Sequence, residues 1–165
     1  MALFRKRLTP EQAFEAVLAA ISNWPAPPSD LPVELAEAGG EKRIRYEQAY
    51  LSLFAALIAV KFCKQRDWRD NGYELFVALS ARVTQRLFAD RGNAAAPVGE
   101  RMKLYDLALA ATEPHTERAA IAREVAKDFA VVLGARESTQ IQSLGAQTFL
   151  DAFDRVAAVT NSFKL

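Results

Sequence analysis

The feature that most constrains the fold is the apolar run in AYLSLFAALIAVKFC, residues 49–63, where Ser52 is the only polar residue between Leu51 and Val60. At about 1.5 Å per residue, a helix over this run covers roughly 15 Å, which is about half of a hydrocarbon core. Glu47 and Gln48 precede the run and Lys61 follows it. We therefore predict a buried helix over about 41–66 and no transmembrane segment.

This predicted helix is apolar on nearly all sides. The residues expected on one face and its two flanks are Leu51, Phe54, Leu57, Ile58 and Phe62, with Leu53, Ala56 and Val60. A helix that is apolar nearly all round needs contacts on nearly all sides. Its neighbours are either other helices of the same chain or a second subunit, and the sequence leaves both open.

The rest of the chain reads as an all-α, single-domain bundle of about six helices over residues 1–165, with a frayed N-terminus at 1–8. Thr9-Pro10-Glu11-Gln12 combines a cap, a proline at the first helical position and a capping-box glutamine, which predicts a helix over about 10–22. No stretch alternates long enough to predict a strand. Further helices are predicted over about 32–38, 70–92, 98–112, from Thr112 to Gly134, and after a cap at Ser138 or Thr139.

Four of the seven prolines fall within NWPAPPSDLP, residues 23–32. Each proline removes a backbone donor and disfavours helix in the residue before it, so this segment is predicted to be an extended connector. It contains a PxxP pattern, but such short patterns arise by chance in any proline-rich loop. We expect Trp24 and Leu31 to pack against the bundle.

The net charge limits the class of partner, and the cysteine count indicates the cellular compartment. The net charge is +1 and neither half of the chain is strongly basic, so we expect no nucleic-acid partner. The tight basic cluster Arg5-Lys6-Arg7 could touch an anionic lipid surface, but a solvated terminus is the preferred interpretation. Cys63 is the only cysteine, which rules out an intrachain disulfide and favours a cytoplasmic protein.

The sequence offers little catalytic chemistry. His115 is the only histidine, so a multi-histidine metal site cannot form within one chain. It follows Glu113-Pro114 at a predicted helix start, where an exposed side chain is expected. Cys63 lies near the C-terminal end of an apolar helix, where the helix dipole disfavours a thiolate. We predict no catalytic residue, no metal and no cofactor, and a non-enzymatic role.

Carboxylates alone provide the remaining route to metal chemistry, a Mg²⁺-dependent enzyme. Glu34 and Glu37 form an ExxE pattern, but no ExxD occurs in the chain. Glu124 and Asp128 share a helix face, with Glu117 two turns earlier on that face. Because this face lies opposite a predicted core stripe, we expect it to be the solvated outer face of the helix.

The candidate partner-binding surface lies around the end of the apolar helix. Trp and Arg concentrate at binding hot spots, although cations also favour helix C-termini and Trp68 could simply close the core. Its members are Lys61, Lys64, Arg66, Trp68, Arg69 and Tyr73.

The leading hypothesis is a non-enzymatic helical module for protein–protein interaction that self-associates as a homodimer or other homo-oligomer. It rests on a surplus of apolar helix surface. The alternative is a bundle that binds a small apolar ligand in its core. The residues that would line such a cavity are Phe54, Phe62, Phe76, Phe149 and Phe153.

Overall fold

The computed structural model describes residues 6–7, 9–64, 81–82, 85–86, 89, 95–110 and 117–164. The prediction of an all-α bundle is confirmed. Six helices lie within these residues: α1 (Pro10–Ile21), α2 (Val33–Glu37), α3 (Gly40–Lys64), α4 (Ala95–Ala110), α5 (Arg118–Val132) and α6 (Thr139–Ser162). Most of the predicted helix over 70–92 lies outside the described residues, although 81–82 and 85–86 are helical.

One short pairing departs from the expectation of no strands. β1 (Lys6–Arg7) pairs in parallel with β2 (Phe163–Lys164), which follows directly after α6. The pairing places the segment before α1 beside the end of α6. A two-residue ribbon of this kind adds little stability by itself, so the helices define the fold.

The helix ends follow the local signals in the sequence. The Gln12 backbone N–H donates to Thr9 Oγ1 at 3.2 Å, and the Thr9 N–H donates to Gln12 Oε1 at 3.0 Å, which completes the capping box of α1. The Ile141 N–H donates to Ser138 Oγ at 3.3 Å, so Ser138 caps α6. Gly134 has φ +73°, the left-handed conformation expected of a glycine that ends α5.

α3 is the central helix of the bundle. From Glu47 to Val60, every residue except Tyr50 and Leu57 is buried, as an apolar helix with contacts on nearly all sides requires. The elements that contact it include α1, α2, α4 and α6, so the residues that bury it belong to this chain. Among the described helices, none is both long enough and apolar enough to cross a membrane.

α5 and α6 form a closely packed antiparallel pair beside α3. Arg43, near the start of α3, donates through Nη2 to the Val132 carbonyl at the end of α5, at 2.8 Å. Gly145 of α6 lies under the Phe129 ring, and a Cβ atom at this glycine would fall 2.8 Å from Phe129 Cδ1. The two helices therefore approach each other over a residue with no side chain.

The proline-rich connector packs against the bundle, as predicted. Trp24 and Leu31 are partly buried against the hydrophobic core. The Trp24 indole Nε1–H donates to the Ile21 carbonyl at 2.5 Å, which joins the start of the connector to the end of α1. The Pro25 and Asn23 carbonyls accept hydrogen bonds from α3 and α6, so the connector lies against these two helices.

Candidate functional site

The predicted partner-binding cluster falls largely outside the described residues. Lys61 and Lys64 lie in the last turn of α3, and nothing is described of their side chains, while Arg66, Trp68, Arg69 and Tyr73 lie beyond the described part of the chain. His115 also lies outside it. The assignment of this cluster as a binding surface stays a prediction.

Three of the five aromatic residues proposed to line a cavity pack against one another. The ring centroids of Phe54 and Phe149 are 6.3 Å apart, and those of Phe149 and Phe153 are 6.0 Å apart. These are distances of direct ring contact, so the rings fill the space between them. The Phe62 side chain and Phe76 lie outside the described residues, and binding of an apolar ligand stays a prediction.

A buried carboxylate joins α3 to α4. Glu47 is only 4% exposed. The Tyr105 hydroxyl donates to Glu47 Oε1 at 2.6 Å, and Arg101 Nε donates to Glu47 Oε2 at 3.0 Å. Both oxygens of the carboxylate therefore have a donor, as a buried charge requires.

The surroundings of Tyr105 hold its hydroxyl in the protonated form. Burial contributes most to raising its pKa, and the charge and hydrogen bond of Glu47 raise it further. Arg101 lowers the pKa of Tyr105, whereas Asp128 on α5 adds to the rise. The cluster thus places a protonated phenol as a donor against the Glu47 carboxylate. Because both groups are buried and paired with each other, we interpret the cluster as a structural link and not as an acid–base site.

The carboxylates of α5 lie on a face that is solvated in part, where the side chain of Glu124 is 43% exposed. Glu124 and Asp128 are both partly buried. Burial, and then the charge of Glu124, raise the pKa of Asp128, while Lys127 lowers it. Asp128 lies close enough to Tyr105 of α4 for its charge to raise the pKa of that residue, so the contact between α4 and α5 accounts for part of this burial.

The same carboxylates do not assemble a cation site in the described part of the chain. Lys127 Nζ lies 2.7 and 3.0 Å from the two oxygens of Glu124, where it neutralises that carboxylate. Within the described residues, no three His, Cys, Asp or Glu side chains gather closely enough to hold a metal ion. The carboxylate enzyme therefore gains no support from this face.

A second network, on another side of α3, fixes the proline-rich connector. Gln48 is completely buried, and its Nε2 donates to the Pro25 carbonyl at 2.9 Å and to Thr148 Oγ1 on α6 at 3.1 Å. Arg45 Nη1 also approaches the Pro25 carbonyl, at 3.3 Å. One carbonyl of the connector is thus held by two side chains of α3.

A second contact fixes the connector just before this point. Arg155 of α6 donates through Nη1 to the Asn23 carbonyl at 2.6 Å. The connector is therefore attached to α6 at Asn23 and to α3 at Pro25. The prolines that follow have restricted backbone angles, so the next residues are held by chain stiffness as well.

An open groove of about 550 Å³ lies between the connector and the first turns of α6. The connector forms one wall and α6 forms the other. Among the described residues that line the groove, none carries a charge. The lining residues are Ala26, Pro28, Thr139, Gln140, Ser143, Leu144 and Gln147.

Sequence reasoning missed Glu47, Gln48 and the groove. Gln48 interrupts an apolar spacing, four residues after Ile44 and three before Leu51, and this could have marked it as a buried polar residue. The groove has no comparable signal, because its two walls come from segments more than a hundred residues apart. Comparison with protein-family models, curated proteins and solved structures finds no match for this chain, so these sites are interpreted from their own geometry.

Proposed function

We propose that this protein is a non-catalytic helical module that acts by binding another protein, with the groove between the connector and α6 as its contact surface. The observation that carries the proposal is an open groove with one wall fixed to the rest of the bundle. In many protein complexes the backbone of the interface moves little between the free and the bound form, so a wall that is already fixed suits a binding surface.

The fixed wall supports a binding role on energetic grounds. Ordering a flexible loop during association costs free energy that is subtracted from the affinity. Here the Pro25 and Asn23 carbonyls are already held by side chains of α3 and α6. A partner would therefore meet a wall that needs little further ordering.

The structure changes the basis for self-association. The sequence favoured it because two helices, α3 and α6, have more apolar surface than an ordinary surface helix. The apolar surface of α3 is buried within the chain, which removes α3 as a reason to expect a second copy. Self-association stays a prediction, and light scattering coupled to size-exclusion chromatography from micromolar to millimolar concentration tests it.

The groove is tested by capturing partners from an extract of the source cells with three forms of the full chain. Ser143 is exposed and lines the groove, so Ser143→Arg places a long charged side chain in it. Ala158 is exposed on α6 about four turns further along, so Ala158→Arg makes the matched change away from the groove.

We expect the wild type and Ala158→Arg to capture the same protein and Ser143→Arg to lose it. Circular dichroism checks that all three forms are equally helical. Equal capture by both arginine variants would contradict the groove as the contact surface, and no specific capture by the wild type would contradict the binding role.

A further inference from the structure

α4 buries little apolar surface for a helix of its length. Leu107 is 70% exposed, and Met102 and Leu109 are only partly buried against the core. From residue 98 to residue 110, the buried side chains are Val98, Tyr105 and Ala108. α5 has 15 residues against 16 in α4, and it buries six of them, including Phe129. Since stabilisation by burial rises with the apolar area removed from water, this contribution holds α4 less firmly than α5.

The polar contacts of α4 join it to a buried carboxylate. Arg101 and Tyr105 donate to the two oxygens of Glu47, at 3.0 and 2.6 Å. A charge that is taken out of water loses hydration, and pairing inside the protein offsets much of that loss without a large net gain. When α4 moves away, the Glu47 carboxylate regains contact with water. The cluster therefore fixes the position of α4 on α3 but adds little net free energy to keep it there.

α4 covers one side of the middle of α3. The centroid of the Tyr105 ring lies 5.5 Å from that of the Phe54 ring, and the Tyr105 hydroxyl also donates to Glu47. Glu47 and Phe54 are about two helical turns apart, which places them on the same side of α3. They are 4% and 3% exposed with α4 in place. Movement of α4 away from α3 would uncover an apolar surface that carries one carboxylate.

The other long helices share a partner that is not α4. α6 contacts α1, α3 and α5. The Phe54 ring also packs against Phe149 of α6, with 6.3 Å between the ring centroids. These four helices therefore keep their common interface when α4 leaves.

We propose that α4 is a lid on α3, which opens as a unit while α1, α3, α5 and α6 stay folded and which uncovers Phe54 and Glu47 as it opens. Proteins open locally in cooperative units, and the units with few buried apolar contacts open at a lower free energy than the whole molecule unfolds. The inference is independent of the binding role proposed for the groove.

Hydrogen exchange followed by mass spectrometry at increasing urea concentration tests the lid. The comparison is between the amides of residues 101–108 in α4 and the slowest amides of α6. We expect α4 to exchange about tenfold faster or more, with a rate that rises less steeply with urea, because opening exposes less surface than global unfolding. Equal rates with equal urea dependence would show that α4 unfolds only with the whole bundle, and would overturn the inference.

Two variants separate opening from global unfolding. Tyr105→Phe removes one donor to the buried carboxylate in the closed form alone, so it should speed exchange in α4 about 30-fold. Val17 is buried on α1, which stays folded in both forms. Val17→Ala should therefore speed the slowest amides of α6 by about tenfold or more and leave α4 unchanged.

Either of two results with these variants would overturn the lid. Equal acceleration of α4 and α6 by Val17→Ala would mean that α4 exchanges through global unfolding. An unchanged rate of exchange in α4 for Tyr105→Phe would mean that opening does not part Tyr105 from Glu47.

Discussion

Two adjacent residues of α3, Glu47 and Gln48, have nearly the same shape and serve two different interfaces. Glu47 faces α4, where Arg101 and Tyr105 donate to its carboxylate. Gln48 faces the connector and α6, where its amide donates to Pro25 and Thr148. Glu47 therefore accepts from its neighbours through a carboxylate, whereas Gln48 donates to its neighbours through a neutral amide, with Arg45 beside it.

The difference follows from the groups that meet each residue. The Pro25 carbonyl can only accept a hydrogen bond, so the side chain facing it has to donate. On the α4 side the phenol and the guanidinium donate, so the side chain facing them has to accept. Arg101 is 33% exposed, which keeps part of the charged pair in contact with water. Gln48 itself has no contact with water, since it is fully buried.

The largest expected effect comes from Gln48→Glu, which sets a carboxylate against the Pro25 carbonyl. Two acceptors would then face each other in a buried site, although Arg45, which also donates to the Pro25 carbonyl, brings a positive charge to this carbonyl. We expect a loss of about 3 kcal/mol in the free energy of unfolding. Thermal unfolding followed by circular dichroism at neutral pH should show Tm lower by about 6–12 °C.

Gln48→Met is the matched control, because it keeps the side-chain length without adding a charge. Burial raises the pKa of the introduced carboxyl, so its destabilising effect appears as pH rises through that pKa and fades as pH falls. The deficit of Gln48→Glu should therefore narrow in acid. If the Tm of Gln48→Glu at neutral pH equalled that of the wild type, the two sides of α3 would not require different side chains.

A smaller loss is expected for Tyr105→Phe. The change removes one of the two donors to the buried Glu47 carboxylate and adds no other group. A hydrogen bond to a charged group contributes about 2 kcal/mol, so Tm should fall by about 4–8 °C. Urea denaturation gives the free energy directly. A loss below about 0.5 kcal/mol would mean that Arg101 alone satisfies the carboxylate.

Glu47→Gln should cost less than Gln48→Glu, although the two exchanges are chemically the reverse of each other. The new amide oxygen can still accept from Tyr105, and the partly exposed Arg101 can turn toward water. We expect a loss of about 1 kcal/mol.

Combining Glu47→Gln with Tyr105→Phe in a double-mutant cycle measures the coupling between these residues. If Glu47→Gln lost more free energy of unfolding than Gln48→Glu, the expected order of the two exchanges would be wrong.

The smallest expected effect is a stabilisation by Asp128→Asn. Burial and the charge of Glu124 raise the pKa of Asp128, so its ionised form opposes folding. Its favourable contribution is present when it is protonated and is lost as pH rises through its pKa in the folded state.

At neutral pH the Asn variant should melt about 1–2 °C higher, and the gain should vanish in acid, where the wild-type carboxyl is protonated. Asp106→Asn, at an exposed position on α4, is the control and should leave Tm unchanged. A gain that persists in acid would show that the charge of Asp128 is not the cause.

The helices were predictable because their signals are local. The Thr9–Gln12 capping box, the proline-rich break and Gly134 each act within a few residues of themselves. The apolar run of α3 likewise predicts burial without reference to any partner. These features depend on backbone geometry and periodicity, which a single sequence displays.

The interfaces were not predictable because their partners lie far away along the chain. Gln48 could be recognised as a polar interruption, but its partner Thr148 is 100 residues further on. Helical periodicity placed Asp128 away from the core and could not show that Tyr105 of α4 lies near it. The groove needs both the connector and α6 in place before it exists.

Because Gly145 contacts Phe129, changing single residues of α6 one at a time is a limited way to stabilise the protein. Alanine in place of glycine favours a helix by about 1 kcal/mol, so a choice based on propensity alone would replace Gly145 first. The added Cβ would lie 2.8 Å from Phe129 Cδ1 and would push α5 and α6 apart. A stabilised version of this protein would have to change both positions together, since the best residue at one depends on the residue at the other.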